Sequence, residues 1–161
     1  MLGSLTLTGD ASISGTITMG SFGDIILSDC AEHFEVADAG IEPGTVMVIE
    51  DVGNLRPCDQ PYDKRAAGVV SGAGHFRPGL LLGQTPRLGT CSPVALVGKV
   101  YCKVDAELSP IEIGDLLTTS SISGHAMKAT DPGKAFGAVI GKALGRLEAG
   151  QGLLPILVAL Q

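Results

Sequence analysis

The sequence predicts an all-β protein in two parts: short β repeats, followed by a duplicated, pseudo-twofold β-barrel or sandwich. Three observations predict it. Apolar and polar residues alternate with a period of two, glycine accounts for 23 of 161 residues, and related motifs recur in the two halves. With 45% hydrophobic and 17% charged residues, the chain is expected to bury a sizeable core.

Residues 1–23 form the first part. Within them, single apolar residues alternate with serine and threonine and are interrupted by glycine, namely Leu5, Leu7, Ile13, Ile17 and Met19. Such short strands bury few side chains, and an isolated two-stranded ribbon is marginal in water. We therefore predict a shaft segment in which three copies stack their repeats. A frayed hairpin on a monomer is the alternative.

Residues 33–161 are predicted to form the globular part, built from two similar units at about 32–72 and 100–141. The segment 41–44 (Ile-Glu-Pro-Gly) recurs as 111–114 (Ile-Glu-Ile-Gly). The G-x-V-x-G pattern that starts at Gly68 recurs from Gly137 to Gly141. The spacing indicates an internal duplication of about 40 residues.

Three further segments complete the globular part. Residues 94–104 predict a strong strand with a bulge or bend at Gly98. Residues 153–160 predict a terminal strand, in which Pro155 indicates an edge or a strand start. Between the units, residues 73–93 are rich in glycine and proline and predict a long ordered loop, with or without one short strand. A loop of this length in a compact domain is usually functional or part of an interface.

Composition excludes several functions. The net charge is −6, and the 11 basic residues form no cluster, so no nucleic-acid partner is expected. Neither a long apolar run nor a secretory signal is visible, so no membrane partner is expected. The four cysteines lack C-x-x-C spacing, which favours free thiols in a reducing cytosol. The scattered histidines and the absence of nucleotide-binding motifs predict no metal and no cofactor.

The junction at residues 24–32 carries the candidate chemistry, because Ser28, Asp29 and Glu32 lie close together in the sequence. A spacing of three brings two carboxylates together on a helical turn or in a tight loop. One can then activate water while the other protonates the amine released from the Ser28–Asp29 bond. The alternative is an ordinary turn or capping box, since S-D-x-x-E is also that pattern. From spacing alone, this alternative fits better.

Two neighbours of the carboxylates are candidate modulators. Cys30 lies inside the junction, but a nucleophilic thiol needs a base, and only His33 is near in sequence. His33 also adjoins the carboxylates and is placed to tune them. A histidine on the surface is the simpler interpretation.

Four segments carry a resemblance to a known family: Ser28-Asp29-Cys30-Ala31-Glu32, residues 67–72, residues 114–120 and residues 124–129. Together they resemble the C-terminal intramolecular chaperone autoprotease domain of phage neck-appendage and tail-spike proteins, over about residues 24–161. The resemblance implies a domain that aligns three spike chains and then cuts itself off between Ser28 and Asp29, with Asp29 and Glu32 as the active carboxylates. Cys30 stands where relatives often carry tyrosine.

The resemblance also sets the expected context. It implies a homotrimer joined to an upstream spike or fibre chain, located in a phage tail or fibre or a prophage-derived equivalent, and assembled in the host cytoplasm. The chain would then be a single-turnover autoproteolytic peptidase that uses a carboxylate pair. No motif supports nucleotide-assisted release. Two alternatives stay open: a non-cleaving structural tip or receptor-binding head of a trimeric tail fibre, and a monomeric β-barrel binding module.

Overall fold

The architecture is organised around one long strand that pairs with four others. The computed structural model describes residues 28–36, 38, 40–51, 53–76, 78–82 and 90–160. The predicted shaft, residues 24–27 of the junction and residues 83–89 of the predicted loop lie outside the described residues. The described elements are β1 (Asp29–Glu35), β2 (Val46–Ile49), β3 (Leu55–Pro57), β4 (Ala66–Val70), β5 (Leu80–Leu82), β6 (Cys91–Asp105), β7 (Leu116–Thr119), β8 (Ala126–Lys128), α1 (Pro132–Ala135), β9 (Val139–Ala143) and β10 (Gln151–Ala159).

Five strands close on themselves. The order β10-β9-β7-β8-β6 is completed by pairing between β10 and β6, and we call this ring the barrel. Strands β4, β2 and β3 extend the sheet from β6. The all-β prediction is therefore confirmed. Among the described residues, no helix is long and apolar enough to span a membrane.

Alternation explains the two longest strands. In β10, the buried residues Leu154, Ile156 and Val158 alternate along the strand with residues such as Leu153 and Leu157, which face outward. In β6, buried Val100, Cys102 and Val104 alternate in the same way. The inward side chains pack into one core cluster, and complete burial of each large aliphatic residue contributes about 1.5–3 kcal/mol.

Two three-stranded units share one pairing scheme. Strand β2 pairs with both β3 and β4, and β7 pairs with both β8 and β9. Each unit enters its first strand from a glycine in the left-handed region, Gly44 at φ 89° and Gly114 at φ 91°.

The register corrects the sequence alignment of these units. Gly68 lies opposite Met47, and Gly141 lies opposite Leu117, so Gly68 corresponds to Gly141 rather than to Gly137. A Cβ at either glycine would overlap a backbone carbonyl of the neighbouring strand. The close approach of that strand, and not the turn spacing, determines where the glycine falls.

Two other predictions can be compared with the strands. The segment 73–93 contains a short strand, β5, as the prediction allowed, but its last residues, 91–93, already belong to β6. Pro155 lies inside β10, between Gly152 and Val158, which both pair with β6, so the prediction of an edge or strand start is wrong. Proline is tolerated there because its nitrogen, which carries no hydrogen, points away from β6 toward the chain just beyond the end of β9. Its carbonyl oxygen points to the same side and accepts a hydrogen bond from Leu144 N.

Strands β1 and β5 form a flank that we call the β1 wing. β1 runs antiparallel to β6, and β5 runs parallel to β1 on its other side. β1 continues from Asp29 to Glu35 without a break, so it crosses the boundary that the sequence suggested between residues 32 and 33. Residues 29–32 of the candidate junction are therefore part of the folded sheet.

Candidate functional site

The candidate bond lies where the N-terminal part of the chain enters β1. Asp29 is the first residue of the strand and lies opposite Gly98 of β6. Cys30 follows, between Val97 of β6 and Leu80 of β5. The carbonyl oxygen of Ser28 accepts a hydrogen bond of 2.7 Å from the backbone N–H of Lys99.

The two candidate carboxylates lie on opposite faces of β1. Asp29 and Ala31 are buried, whereas Cys30 and Glu32 are partly exposed. Successive side chains of a strand alternate, so residues three apart point in opposite directions. The expectation that a helical turn or tight loop brings Asp29 and Glu32 together is therefore wrong for this chain by itself.

Asp29 is buried but only half satisfied. Its side-chain oxygen Oδ1 accepts a hydrogen bond of 2.9 Å from Gly79 N. Its Oδ2 is buried and has no hydrogen-bond partner among the described residues. Leaving a buried acceptor unsatisfied costs about 1–3 kcal/mol, so such an atom calls for an explanation.

The two candidate modulators do not form a pair. Cys30 and His33 are three apart on β1 and so lie on opposite faces. His33 shares the face of Asp29, but a rise of four residues along the strand places the two about 13 Å apart. Its Nδ1 is buried without a hydrogen-bond partner among the described residues. His33 therefore contacts neither the Cys30 thiol nor the Asp29 carboxylate directly.

The core cysteines are unsuited to nucleophilic chemistry. All four cysteines are free thiols. Burial raises the pKa of Cys58 to about 11, and burial raises the pKa of Cys102 still further. Both side chains are packed in the barrel core, where they act as small apolar residues.

A second polar feature joins the two units and was missed from the sequence. Tyr62 has φ 57°, a rare conformation for a bulky residue. Its hydroxyl oxygen accepts hydrogen bonds of 2.9 Å from the backbone N–H groups of Thr130 and Asp131. Burial raises the pKa of Tyr62, but hydrogen bonds with the Thr130 hydroxyl and with these two N–H groups outweigh it, and the pKa is lowered. Tyr62 borders a cleft of about 270 Å³, which Lys128 and Lys134 also line.

The barrel also exposes an apolar surface, which we call the outer apolar face. Leu116 and Leu157 both lie opposite Lys142, and Leu157 also lies opposite Lys99. Two adjacent grooves of about 230 and 400 Å³ share Leu116, and Phe136 beside them is 85% exposed. Further residues of the face are Val139 and Ala159. In the β1 wing, Leu80, Leu81 and Leu82 are exposed as well.

Sequence reasoning found Ser28 and Asp29 but missed the groups that hold them. Gly79 lies in the predicted loop, and Gly98 and Lys99 lie 70 residues further along the chain than Ser28 and Asp29. The only sequence signal for these groups was Gly98, which interrupts the strand predicted at residues 94–104. No group of three or more histidine, cysteine or acidic residues in the described part of the chain is arranged to hold a metal ion.

Comparisons with known proteins show where this fold occurs. No protein-family model and no curated protein matches the sequence. The structure is similar to a crystal structure of the bacteriophage phi29 gene product 12 C-terminal fragment, with a TM-score of 0.56 and 16% identity over 81% of this chain and 100% of that one. It also matches the N base of the phi29 head fiber gp8.5, with a TM-score of 0.36 and 15% identity over 83% of this chain and 92% of that one. The chain therefore shares its fold with a C-terminal fragment of a phage protein.

Proposed function

We propose that this chain is an intramolecular chaperone that trimerises a phage fibre or tail-spike protein and then cleaves itself at Ser28–Asp29. The observation that carries the proposal is the buried Asp29 carboxylate at that bond, one oxygen of which has no hydrogen-bond partner in the part of the chain that the structure describes. The fold shared with the phi29 gene product 12 fragment supports the phage context. The location that follows is the tail or fibre of a virion, after assembly in the host cytoplasm, with an upstream fibre chain attached.

The proposed reaction is hydrolysis by carboxylates. Asp29 is the carboxylate at the bond, and Glu32 is retained as the second one. Because Glu32 lies on the opposite face of β1, it acts either after a rearrangement of the strand or on the bond of a neighbouring copy. Mixed trimers of D29N and E32Q chains distinguish these routes. The E32Q chains are cut if Glu32 acts across copies, and neither chain is cut if both carboxylates must belong to one chain.

The outer apolar face supports self-association, and we assign it to a second copy of this chain. Its exposed Leu116, Leu157 and Phe136 line two adjacent grooves, and large exposed apolar side chains grouped in this way are typical of an interaction site. The choice of a second copy follows from where the 27 preceding residues enter. Ser28 is bound to Lys99, which lies in the same cross-strand row as Leu157 and Leu116. Copies that meet on this face bring their N-terminal segments together, and those segments need partners to bury their alternating apolar residues.

Association also explains why such a domain would be useful. Repetitive strands slip easily in register, and pairing between distant segments is slow. A globular trimer raises the effective concentration of the three segments and fixes their alignment. Light scattering on the uncleaved chain should give three times the 16.4 kDa of one chain. Phe136→Ser should lower the measured mass, whereas Leu108→Ser, at an equally exposed residue outside the face, should not.

Intact mass measurement tests the cleavage. After folding, the chain should yield fragments 1–28 and 29–161, whose masses sum to the full chain plus one water. D29N and E32Q should each abolish cleavage, whereas Asp63→Asn should leave it unchanged because Asp63 is paired with Arg65 away from the bond. A wild-type chain that stays whole through prolonged incubation would contradict the proposal.

The second candidate is a non-cleaving tip or receptor-binding head of a trimeric fibre. It is favoured by one observation, the three exposed leucines of β5 within the segment 73–93. A receptor-binding head predicts an intact chain whose trimer mass survives replacement of Leu80, Leu81 and Leu82 by serine while adsorption to host cells is lost. Cleavage of the wild-type chain would rule it out.

A further inference from the structure

Two backbone N–H groups converge on the Ser28–Asp29 bond from outside β1. Lys99 N–H donates to the Ser28 carbonyl oxygen at 2.7 Å. Gly79 N–H donates to Asp29 Oδ1 at 2.9 Å, and the buried Oδ2 has no partner among the residues that the structure describes. One donor therefore holds the carbonyl of the bond, and the other orients the carboxylate beside it.

Gly98 makes this approach possible. A Cβ at position 98 would lie 2.6 Å from the Cα of Asp29 and 2.7 Å from the Ser28 oxygen, both closer than atoms can approach. Gly98 also has φ 110°, in the region that only glycine adopts readily. Any side chain at this position would push the start of β1 away from Lys99.

The strand is irregular beside this point. Cys30 lies opposite Val97 and Ala31 lies opposite Ala95, so Leu96 is an extra residue in β6. Bulges of this kind locally redirect the backbone and are common next to active sites. The carbonyl contact, the glycine and the bulge thus fall within four residues of β6.

We propose that the backbone N–H of Lys99 is the oxyanion donor of the cleavage site and that Gly98 is its positioning residue. This inference rests on the proposed self-cleavage and assigns groups that the carboxylate pair does not include. A fixed N–H at the carbonyl oxygen stabilises the negative charge that develops there during attack. It needs no reorganisation, because the contact already exists before the reaction.

The step balances with one water. A water oxygen attacks the Ser28 carbonyl carbon, its proton passes to Asp29 Oδ2, and the carbonyl electron pair moves onto the oxygen held by Lys99 N–H. The pair then returns, the carbon–nitrogen bond breaks, and Glu32, the second carboxyl group of the proposed pair, gives its proton to the departing Asp29 nitrogen while Oδ2 keeps the proton taken from water. The products are a carboxyl group on Ser28 and a free amino group on Asp29.

Replacing the Lys99 amide by an ester tests the donor. The full chain carrying the α-hydroxy analogue of lysine at position 99 lacks this N–H and keeps the side chain. We expect cleavage to slow by about a hundredfold, as measured by the rate at which fragment 29–161 appears.

A matched ester separates catalysis from loss of a sheet hydrogen bond. Lys103 N–H donates to Gly44 O at 2.8 Å on the same strand, far from the bond. An ester at Lys103 should lower thermal stability as much as the ester at Lys99 but leave the cleavage rate unchanged. Gly98→Ala should abolish cleavage; where it also prevents folding, the two esters decide.

The outcomes separate the two proposals. A wild-type chain that is never cut overturns self-cleavage, and the role of Lys99 falls with it. A wild-type chain that is cut, together with a Lys99 ester that is cut equally fast, overturns the oxyanion donor alone. Equal slowing by both esters also overturns it, because the loss would then reflect the stability of the sheet.

Discussion

The barrel and the β1 wing differ in how completely they satisfy their buried polar atoms. In the barrel, Thr118 donates to Ala138 O at 2.7 Å and Ser120 donates to Asp105 at 2.9 Å. Among the described residues, the two buried side-chain polar atoms without a hydrogen-bond partner both belong to β1, on Asp29 and His33. The barrel is built for stability, and the wing retains the unsatisfied groups expected of a functional segment.

The largest expected contrast concerns packing. Ile156 is fully buried in the barrel, and Leu81 of the wing is 44% exposed. Ile156→Ala should lower the free energy of unfolding by about 2–5 kcal/mol through lost burial and a residual cavity. Leu81→Ala should change it by less than about 0.5 kcal/mol. Urea unfolding at one protein concentration measures both, and similar losses would contradict the division.

Polar substitutions sharpen the comparison further. Thr118→Val removes a buried hydroxyl and leaves Ala138 O without its donor, at a cost of about 1–3 kcal/mol. Asp29→Asn keeps an acceptor for Gly79 N–H and should not lower stability, although we expect it to abolish the proposed cleavage. Unfolding curves of D29N, of Thr118→Val made in the D29N background and of E32Q as the uncut reference provide the test. A loss in D29N as large as that in Thr118→Val would show that Asp29 is structural.

Acid should weaken the ion pair between Asp63 and Arg65, which lies outside the wing. Side-chain hydrogen bonds from Arg65 hold the pKa of Asp63 below its ordinary value. A lowered folded-state pKa contributes stability above the unfolded value of about 3.9, and this contribution is lost as the pH falls through the folded value. Asp63→Asn should therefore flatten the loss of stability below about pH 4. Thermal melts between pH 3 and pH 6 measure this slope, and an unchanged slope would contradict it.

The smallest effect is expected at the wing surface. Cys30 lies between Leu80 and Val97 on the partly exposed face of β1. Cys30→Tyr should add cross-strand contacts worth about 0.2–1 kcal/mol. Because the Asp29 carboxylate faces the other way, the substitution should change the cleavage rate less than any change at Gly98. Rates measured side by side give the answer, and a Cys30→Tyr chain that is cut as slowly as the chain with the Lys99 ester would place Cys30 within the site.

The fold was more predictable than the site, because alternation is local and register is not. The buried and exposed residues of β10 follow directly from its sequence. The correspondence of Gly68 with Gly141 did not, since it depends on which carbonyl of a neighbouring strand approaches each glycine. Pro155 shows the same limit: its tolerance depends on where β9 ends.

The site was only half visible for a related reason. Ser28 and Asp29 stand next to each other in the sequence, so their chemistry could be proposed. Glu32 was grouped with them by spacing, and the strand conformation separates it from Asp29. The partners of the bond, Gly79 and Lys99, are backbone groups, and backbone donors carry no side-chain signature in a sequence.

The position of Gly98 links the contact between Lys99 and the Ser28 carbonyl to the presence of β10. On one side Gly98 faces Asp29, and on the other it faces Val158 of β10. Residues 151–159 follow every other described strand in the sequence, so during synthesis β6 lacks this flank until they have been made. A chain that stops before them would present Ser28 to an incomplete β6. For the proposed self-cleavage, dependence on β10 would delay cutting until residues 151–159 have paired with β6.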